Sequence, residues 1–248
     1  MNQNYKITIQ YDGTRYFGWE HQPDKETIQG KIEDAIVKVL NVPLDSFKVI
    51  GAGRTDAGVH AKEMTASVIL DTTLAENTLR DKLNENLPSD IAILSVKVAS
   101  ERFHARYNAV GKTYDYTICD GPIKPIFNRK YVTVLDNQLD IDAMKEAAEY
   151  LMGEHDFKAF CGNSKFKKSS VRIVDKITLK RQGSLLTISF HGTGFLQNMV
   201  RIMVGTLIEV GYHRLKPTDI PDIIESRDRK KAGPTAPAKG LCLRKVDY

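Results

Sequence analysis

The chain is 248 residues long, 42% apolar and 27% charged, the balance of a soluble globular protein with room for one large core or two smaller ones. No apolar run is long enough to span a bilayer, and Cys119, Cys161 and Cys242 are too few and too scattered for a disulfide framework or a CxxC zinc pair. The opening MNQNYKITIQYDG goes straight into strand-like alternation, so no signal peptide is expected, and a reducing cytoplasm is the expected compartment.

Charge is unevenly spread. Residues 1–104 carry 12 Lys and Arg against 15 Asp and Glu, whereas residues 105–248 carry 24 against 16. The basic second part suggests a polyanionic partner, although many basic domains are simply soluble.

Residues 5–11 alternate as a strand does and end in an Asp12-Gly13 turn. Tyr16, Phe17 and Trp19 gather around Gly18. Such a cluster either offers a base-stacking surface or plugs the end of a sheet, and the second use is the commoner. From Thr27 onward Ile28, Ile32, Ile36, Val39 and Leu40 mark one face of a helix that Pro43 stops. Val49 and Ile50 then lead into a loop, VIGAGRTDAGVHA over residues 49–61, and residues 65–70 follow as a strand. Leu79, Leu83 and Leu87 stripe a second helix ended by Pro88, and residues 91–98 form a further strand. The order β, α, β, β, α, β is that of a ferredoxin-like split βαβ unit.

The central loop holds the first chemistry. Gly51, Gly53 and Gly58 allow main chain to press against a ligand. Arg54 and Asp56, two apart, point to one side of an extended backbone. A guanidinium near a carboxylate favours its ionised form, and a positioned carboxylate serves as nucleophile, base or metal ligand. Arginine there is suited to grip a phosphate bidentately. Read by itself, the loop is equally an Asx-turn with a surface ion pair.

Residues 102–118, RFHARYNAVGKTYDYTI, lead into the second half. Arg102, Arg106 and Lys112 interleave with Phe103, Tyr107 and Tyr114, a mixture that suits RNA backbone and bases or, as readily, a strand with a solvated basic edge. Tyr114 and Tyr116 share one strand face. A proline-rich loop, a short strand over 131–135 and a helix over 141–152 follow, the helix with Met144, Ala147, Ala148 and Leu151 inward. The His155-Asp156 pair reads as a cap rather than a relay. Lys165, Lys167 and Lys168 lie in the loop NSKFKKSS, a solvated surface or a phosphate-backbone contact. Residues 171–179 and 185–190 read as paired strands across Gln182-Gly183.

The second chemically odd residue is Arg201, inside the apolar run GFLQNMVRIMVGTLIEVG, which predicts a helix over 195–210. Asn198, Arg201 and Gly205 fall away from its core stripe, and Gly205 leaves room for something to approach. A buried arginine is nearly always paired. Glu209, two turns away, is a poor reach, so Asp56 is the nominated partner; the other reading is an arginine snorkelling to the surface. Residues 241–246 close the chain as a strand, and Arg227, Arg229, Lys230 and Lys231 thicken the basic region before it.

GRTDAGVHA at 53–61 resembles the active-site signature of the bacterial tRNA pseudouridine synthases of the TruA type. YDGTRYFGW at 11–19, GKTYDYTI at 111–118, HDFKAF at 155–160, GFLQNMVRIMVG at 194–205 and GPTAPAKGLCL at 233–243 resemble further blocks of that family, in family order and across nearly the whole chain. His21-Gln22 and Asp115 are less typical of it. The resemblance implies two ferredoxin-like α+β domains, 1–104 and 105–248, with abutting sheets and a basic central cleft. It implies Asp56 as the catalytic aspartate, Tyr114 stacking on the target uracil, Arg201 pairing with Asp56, and Arg54 holding or flipping the nucleotide. It implies a homodimer that uses no cofactor or metal and modifies uridines 38, 39 and 40 of the tRNA anticodon stem-loop. A catalytically silent tRNA-binding protein on the same scaffold is the alternative. Metal-dependent hydrolysis at Asp56 lacks a second carboxylate in the loop.

Overall fold

The computed structural model describes residues 2–163 and 165–248, which divide into two compact units. Unit 1 is Met1–Val110 with Leu243–Tyr248, and unit 2 is Gly111–Cys242. The architecture is α+β.

Unit 1 contains β1 (Asn2–Tyr11), α1 (Ile28–Leu40), β2 (Ile50–Gly51), β3 (His60–Asp71), α2 (Glu76–Asn86) and β4 (Ile91–Val98). The strands run β4-β1-β3, with β2 on the far side of β3 and every pairing antiparallel. This is the expected split βαβ arrangement with β2 reduced to two residues. Period-two alternation puts Tyr5, Ile7, Ile9 and Tyr11 into the core. Residue β1 register pairs Ile7 with Ala66 of β3 and with Val96 of β4.

Local chemistry sets the helix ends. The Thr27 hydroxyl accepts from Gly30 N–H at 3.2 Å to start α1, and Asn41, left-handed at φ +53°, ends it before Pro43. Ile28, Ile32, Ala35 and Ile36 are its buried face. Helix α2 stops one residue short of Leu87, which Pro88 forces into an extended conformation.

Unit 2 contains β5 (Gly111–Cys119), β6 (Thr133–Val134), α3 (Ile141–Leu151), β7 (Gly153–Asp156), β8 (Val171–Gln182), β9 (Leu185–Gly192), α4 (Met199–Gly211) and α5 (Ile220–Ser226). Its strands run β5-β9-β8-β7, antiparallel from β5 to β7, with β6 parallel beside β5. The last strand, β10 (Leu241–Asp247), begins in unit 2 and from Leu243 belongs to unit 1, where it lies beside β3.

Asp140 caps α3 by accepting from Asp142 and Ala143 N–H, both at 3.0 Å. Met144, Ala147, Ala148 and Leu151 are its buried residues, the expected stripe. Helix α4 starts four residues later than its apolar run suggests. Asn198 sits in the left-handed region at φ +58°, which no helix interior accommodates, so residues 195–198 form a turn leading into the helix. The strand expected over 131–135 shrinks to Thr133–Val134, and α5, too short for its periodicity to stand out, buries Ile220, Ile223 and Ile224. Among the described residues no helix is long and apolar enough to cross a membrane.

Candidate active site

In unit 1 the loop between β2 and β3 carries Arg54 and Asp56, and the segment after β1 holds its backbone from the side. Trp19 N–H donates to the Thr55 carbonyl at 3.1 Å, and Gly58 N–H donates to the Tyr16 carbonyl at 3.2 Å. The Tyr11 and Thr55 hydroxyls are 2.9 Å apart. Val59 N–H donates to the Asp56 carbonyl at 3.1 Å and closes the turn. Gly18 permits this contact: it sits at φ +93°, and a Cβ there would stand 2.5 Å from the Thr55 carbonyl oxygen. Asp56 is thus half-buried on main chain with few ways to move.

Two of the three clustered aromatics are core residues, as the commoner reading has it. Tyr16 and Trp19 are core residues, whereas Phe17 is exposed with the Lys25 ammonium 5.0 Å above its ring. Arg54 is exposed and directs its forked donors elsewhere than the sequence suggests. Nε and Nη2 donate to the two carboxylate oxygens of Glu20 at 2.7 and 2.6 Å, and these bonds hold the guanidinium pKa up. Glu20 lies 34 residues from Arg54 in the chain, and no local pattern announces the pair.

In unit 2 Tyr114 lies on β5 opposite Phe190 and is buried, meeting the Phe195 ring edge-on at 5.3 Å. Tyr116, on the same face, is fully buried, with its hydroxyl 2.7 Å from Thr133 Oγ1 and donating to the Pro237 carbonyl at 2.8 Å. Burial pushes the Tyr116 phenol up to about 12, against the smaller opposing pull of the Thr133 hydrogen bond and the Arg201 charge.

Arg201 lies in the first turn of α4 and is half-buried. Nε donates to the Ala236 carbonyl at 2.7 Å and Nη1 donates to Asn198 Oδ1 at 2.9 Å. Ala236 N–H donates in return to the Arg201 carbonyl at 3.1 Å. The guanidinium is therefore oriented by its helix cap and by the loop at 233–237, and it does not snorkel freely. Glu209 pairs with Arg214 at 3.2 Å, as its poor reach to Arg201 suggests. The space left by Gly205 is filled by the Pro234 carbonyl, whose oxygen would stand 1.7 Å from a Cβ at that position.

Lys165, Lys167 and Lys168 are exposed on the loop before β8. The loop is tethered by Gly162 N–H donating to the Gln197 carbonyl at 2.8 Å and by Lys158 Nζ donating to the Phe166 carbonyl at 2.9 Å. Asp156 accepts from Lys158 N–H at 3.1 Å and pairs with Arg227 at 3.0 Å, so it is a cap and an ion-pair partner. Arg229 binds the Ala232 and Gly233 carbonyls at 3.3 and 2.9 Å, which makes it a brace for the 233–237 loop rather than part of a free basic surface. Among the described residues no group of three His, Cys, Asp or Glu is placed to hold a metal ion. The residues that sequence reading missed are Glu20 and the Ala236 carbonyl, and neither carried a local signal. Asn198 was legible as a neighbour of Arg201 but not as its hydrogen-bond partner.

Comparison with known proteins defines the class. A family model described as tRNA pseudouridine synthase matches residues 7–108 and 147–248, stretches that include Arg54, Asp56, the three lysines and Arg201, with Tyr114 between them. Clostridium perfringens tRNA pseudouridine synthase A 2 is 45% identical over 246 residues, covering 99% of this chain and 100% of the relative. Caldicellulosiruptor bescii tRNA pseudouridine synthase A is 44% identical with the same coverage. The chain belongs to the tRNA pseudouridine synthase family, isomerases that act on tRNA. Among solved structures, a Cbf5-Nop10-Gar1 complex aligns with 96% of this chain and 57% of that chain at 14% identity and a TM-score of 0.34, too low to inform the site.

Proposed function

We propose that the chain isomerises uridine to pseudouridine at positions 38, 39 and 40 of the anticodon stem-loop, with Asp56 as the reacting carboxylate. The reaction breaks the bond between ribose C1′ and uracil N1, joins C1′ to C5, releases the C5 proton and leaves one on N1. It is a redox-neutral isomerisation, so it calls for no cofactor and no metal. A stacked uridine must first leave the helix, at a cost of about a few kcal/mol, to reach a pocket. Asp56 then either attacks a carbon covalently or removes a ribose proton to give a glycal-like intermediate.

The observation that carries this reading is the locking of the Thr55–Asp56 main chain against Tyr16 and Trp19. That rigidity orients a carboxylate without reorganisation during the reaction. Arg201, held by Asn198 and Ala236, is the proposed partner that keeps Asp56 ionised. Tyr114 is the proposed stacking surface for the freed uracil, Arg54 holds the flipped nucleotide, and Lys165, Lys167 and Lys168 meet the phosphate backbone. The N-terminal part supplies the aspartate and the basic C-terminal part binds tRNA, in a cytoplasmic homodimer with the tRNA reaching across both subunits.

The test is tritium release from tRNA labelled at uracil C5, comparing wild type with Asp56→Asn. Release by the wild type and none by the variant, with tRNA binding retained, is the expected result. Release by the variant at the wild-type rate would remove Asp56 from the mechanism.

A further inference from the structure

Beside Asp56, unit 1 contains a cavity of about 240 Å³ that shares only Arg54 with the residues of the proposed reaction. Lys48, Arg54, His104, Arg106 and Tyr107 line it, together with the carboxylate of Glu20 and the ring of Trp19. Its charged lining is three cations, Lys48, Arg54 and Arg106, against one carboxylate, a balance that suits an anion of modest size. The single carboxylate, Glu20, already occupies the bidentate fork of Arg54 at 2.7 and 2.6 Å. Two carboxylate oxygens at that spacing stand where two oxygens of a phosphate would.

The ion pair is exposed on both sides, with Arg54 66% and Glu20 45% accessible. Pairs of this kind contribute little to stability, so an incoming phosphate can take the place of Glu20 at small cost. The cavity also has an aromatic wall. Tyr107 is 80% exposed, an unusual position for a tyrosine, and stacks 4.2 Å from the His104 ring. His104 Nδ1 accepts from the N–H groups of both Arg106 and Tyr107 at 3.2 Å, which fixes the ring and the chain beneath it. Asn108 Oδ1 accepts from His104 N–H at 2.7 Å and completes the clamp. A solvent-facing aromatic with one face supported and the other open is suited to stacking on an unpaired base.

We propose that this cavity is a subsite for a second, unpaired nucleotide of the tRNA, adjacent to the target uridine. Arg54 takes the phosphate that joins this nucleotide to the target uridine, by exchange with Glu20, and so holds the flipped nucleotide by the same grip, while Tyr107 stacks on the second base. Glu20 is then a positioning residue that keeps the Arg54 fork aimed at the cavity until RNA displaces it, and it weakens binding of any polyanion that cannot complete the exchange. The proposal rests on the reading of this chain as a tRNA-modifying enzyme.

Trp19 is the only tryptophan of the chain and is one of the residues around the cavity, so its fluorescence is the probe of tRNA binding. The experiment titrates the full-length protein with unmodified tRNA at several salt concentrations, following Trp19 emission, and measures tritium release in parallel. Tyr107→Ala is expected to raise KM for tRNA about ten-fold with kcat unchanged, and Tyr107→Phe to restore wild-type KM. Glu20→Gln is expected to tighten binding several-fold with the slope of log K against log salt unchanged, since Arg54 meets the same phosphate in both proteins. Unchanged KM in Tyr107→Ala and unchanged affinity in Glu20→Gln, with wild-type tritium release intact, would overturn the subsite alone. Absence of release by the wild type would instead overturn the functional reading beneath it. Tyr107 is too exposed for its truncation to threaten the fold, so either result is interpretable.

Discussion

Gly205→Ala sets two physical effects against each other, and the structure decides which wins. In an isolated helix the change stabilises, because alanine is favoured over glycine by ~1 kcal/mol. In α4 the new methyl would stand 1.7 Å from the Pro234 carbonyl oxygen and 2.8 Å from its carbon, both main-chain atoms that cannot swing aside. The loop at 233–237 must move outward, and overpacking of this kind costs ~1–3 kcal/mol. Movement also strains two hydrogen bonds. Gly233 N–H donates to Thr206 Oγ1 at 2.9 Å, and Arg201 Nε donates to the Ala236 carbonyl at 2.7 Å. Losing a neutral and a charged hydrogen bond costs together ~2–4 kcal/mol. After the propensity gain the net is a destabilisation of ~2–6 kcal/mol, or a fall in Tm of about 4–24 °C. Because the same shift releases Arg201, tritium release should fall at temperatures where the variant is still folded. Urea denaturation and the C5 tritium assay at 20 °C below Tm provide the check. A variant as stable as wild type, or more so, would refute the argument that the Pro234 contact governs this position.

Other outcomes follow from groups away from the proposed chemistry. Asp120 has a fully buried side chain that receives Arg181 Nη1 and Nη2 at 2.7 and 2.6 Å and Leu139 N–H at 2.9 Å. Burial raises its pKa, but the Arg181 and Leu139 bonds outweigh that and hold the carboxyl below its usual range. Arg181→Ala should therefore cost ~3–5 kcal/mol in urea denaturation, since it strands a buried carboxylate, whereas a loss near zero would mean the carboxyl is solvated. The stability supplied by this pair is present above the ordinary carboxylate pKa and is lost as pH falls through the depressed one, so the variant's deficit should shrink in acid. The alkaline side has the opposite sign. Tyr116 and Tyr248 are each pushed by burial up to about 12, so their contribution is intact below pH 10 and lost as pH rises toward 12. Tyr116→Phe should flatten that alkaline decline, at a cost of ~1–3 kcal/mol at neutral pH from the unpaired Pro237 carbonyl and Thr133 hydroxyl. An undiminished alkaline decline in the variant would place the titrating group elsewhere.

The sequence by itself determined the features that repeat over short distances. Alternation in β1, the Ile28-Ile32-Ile36 face of α1 and the Met144-Ala147-Ala148-Leu151 stripe of α3 predicted which side chains are buried, because helix and strand periods are properties of a few consecutive residues. The β, α, β, β, α, β order of unit 1 was legible for the same reason, and glycine spacing around Arg54 and Asp56 marked a shaped loop.

Only the tertiary structure decided what each charged fork touches. Arg54 faces Glu20 across 34 positions, and Arg201 is clipped to Ala236 across 35, separations at which side-chain pattern carries no information. It also decided why Gly205 must be glycine, since the reason is a carbonyl 29 residues away that arrives only when the 233–237 loop folds back on α4. The end of the chain behaves likewise. Residues 243–248 join unit 1, where Asp247 accepts from Val110 N–H at 2.9 Å and the Tyr248 hydroxyl donates to Ala105 at 2.7 Å. A strand records its own alternation in sequence but not the identity of its neighbour, because backbone hydrogen bonding is the same for every residue; the partner is selected when the whole sheet closes.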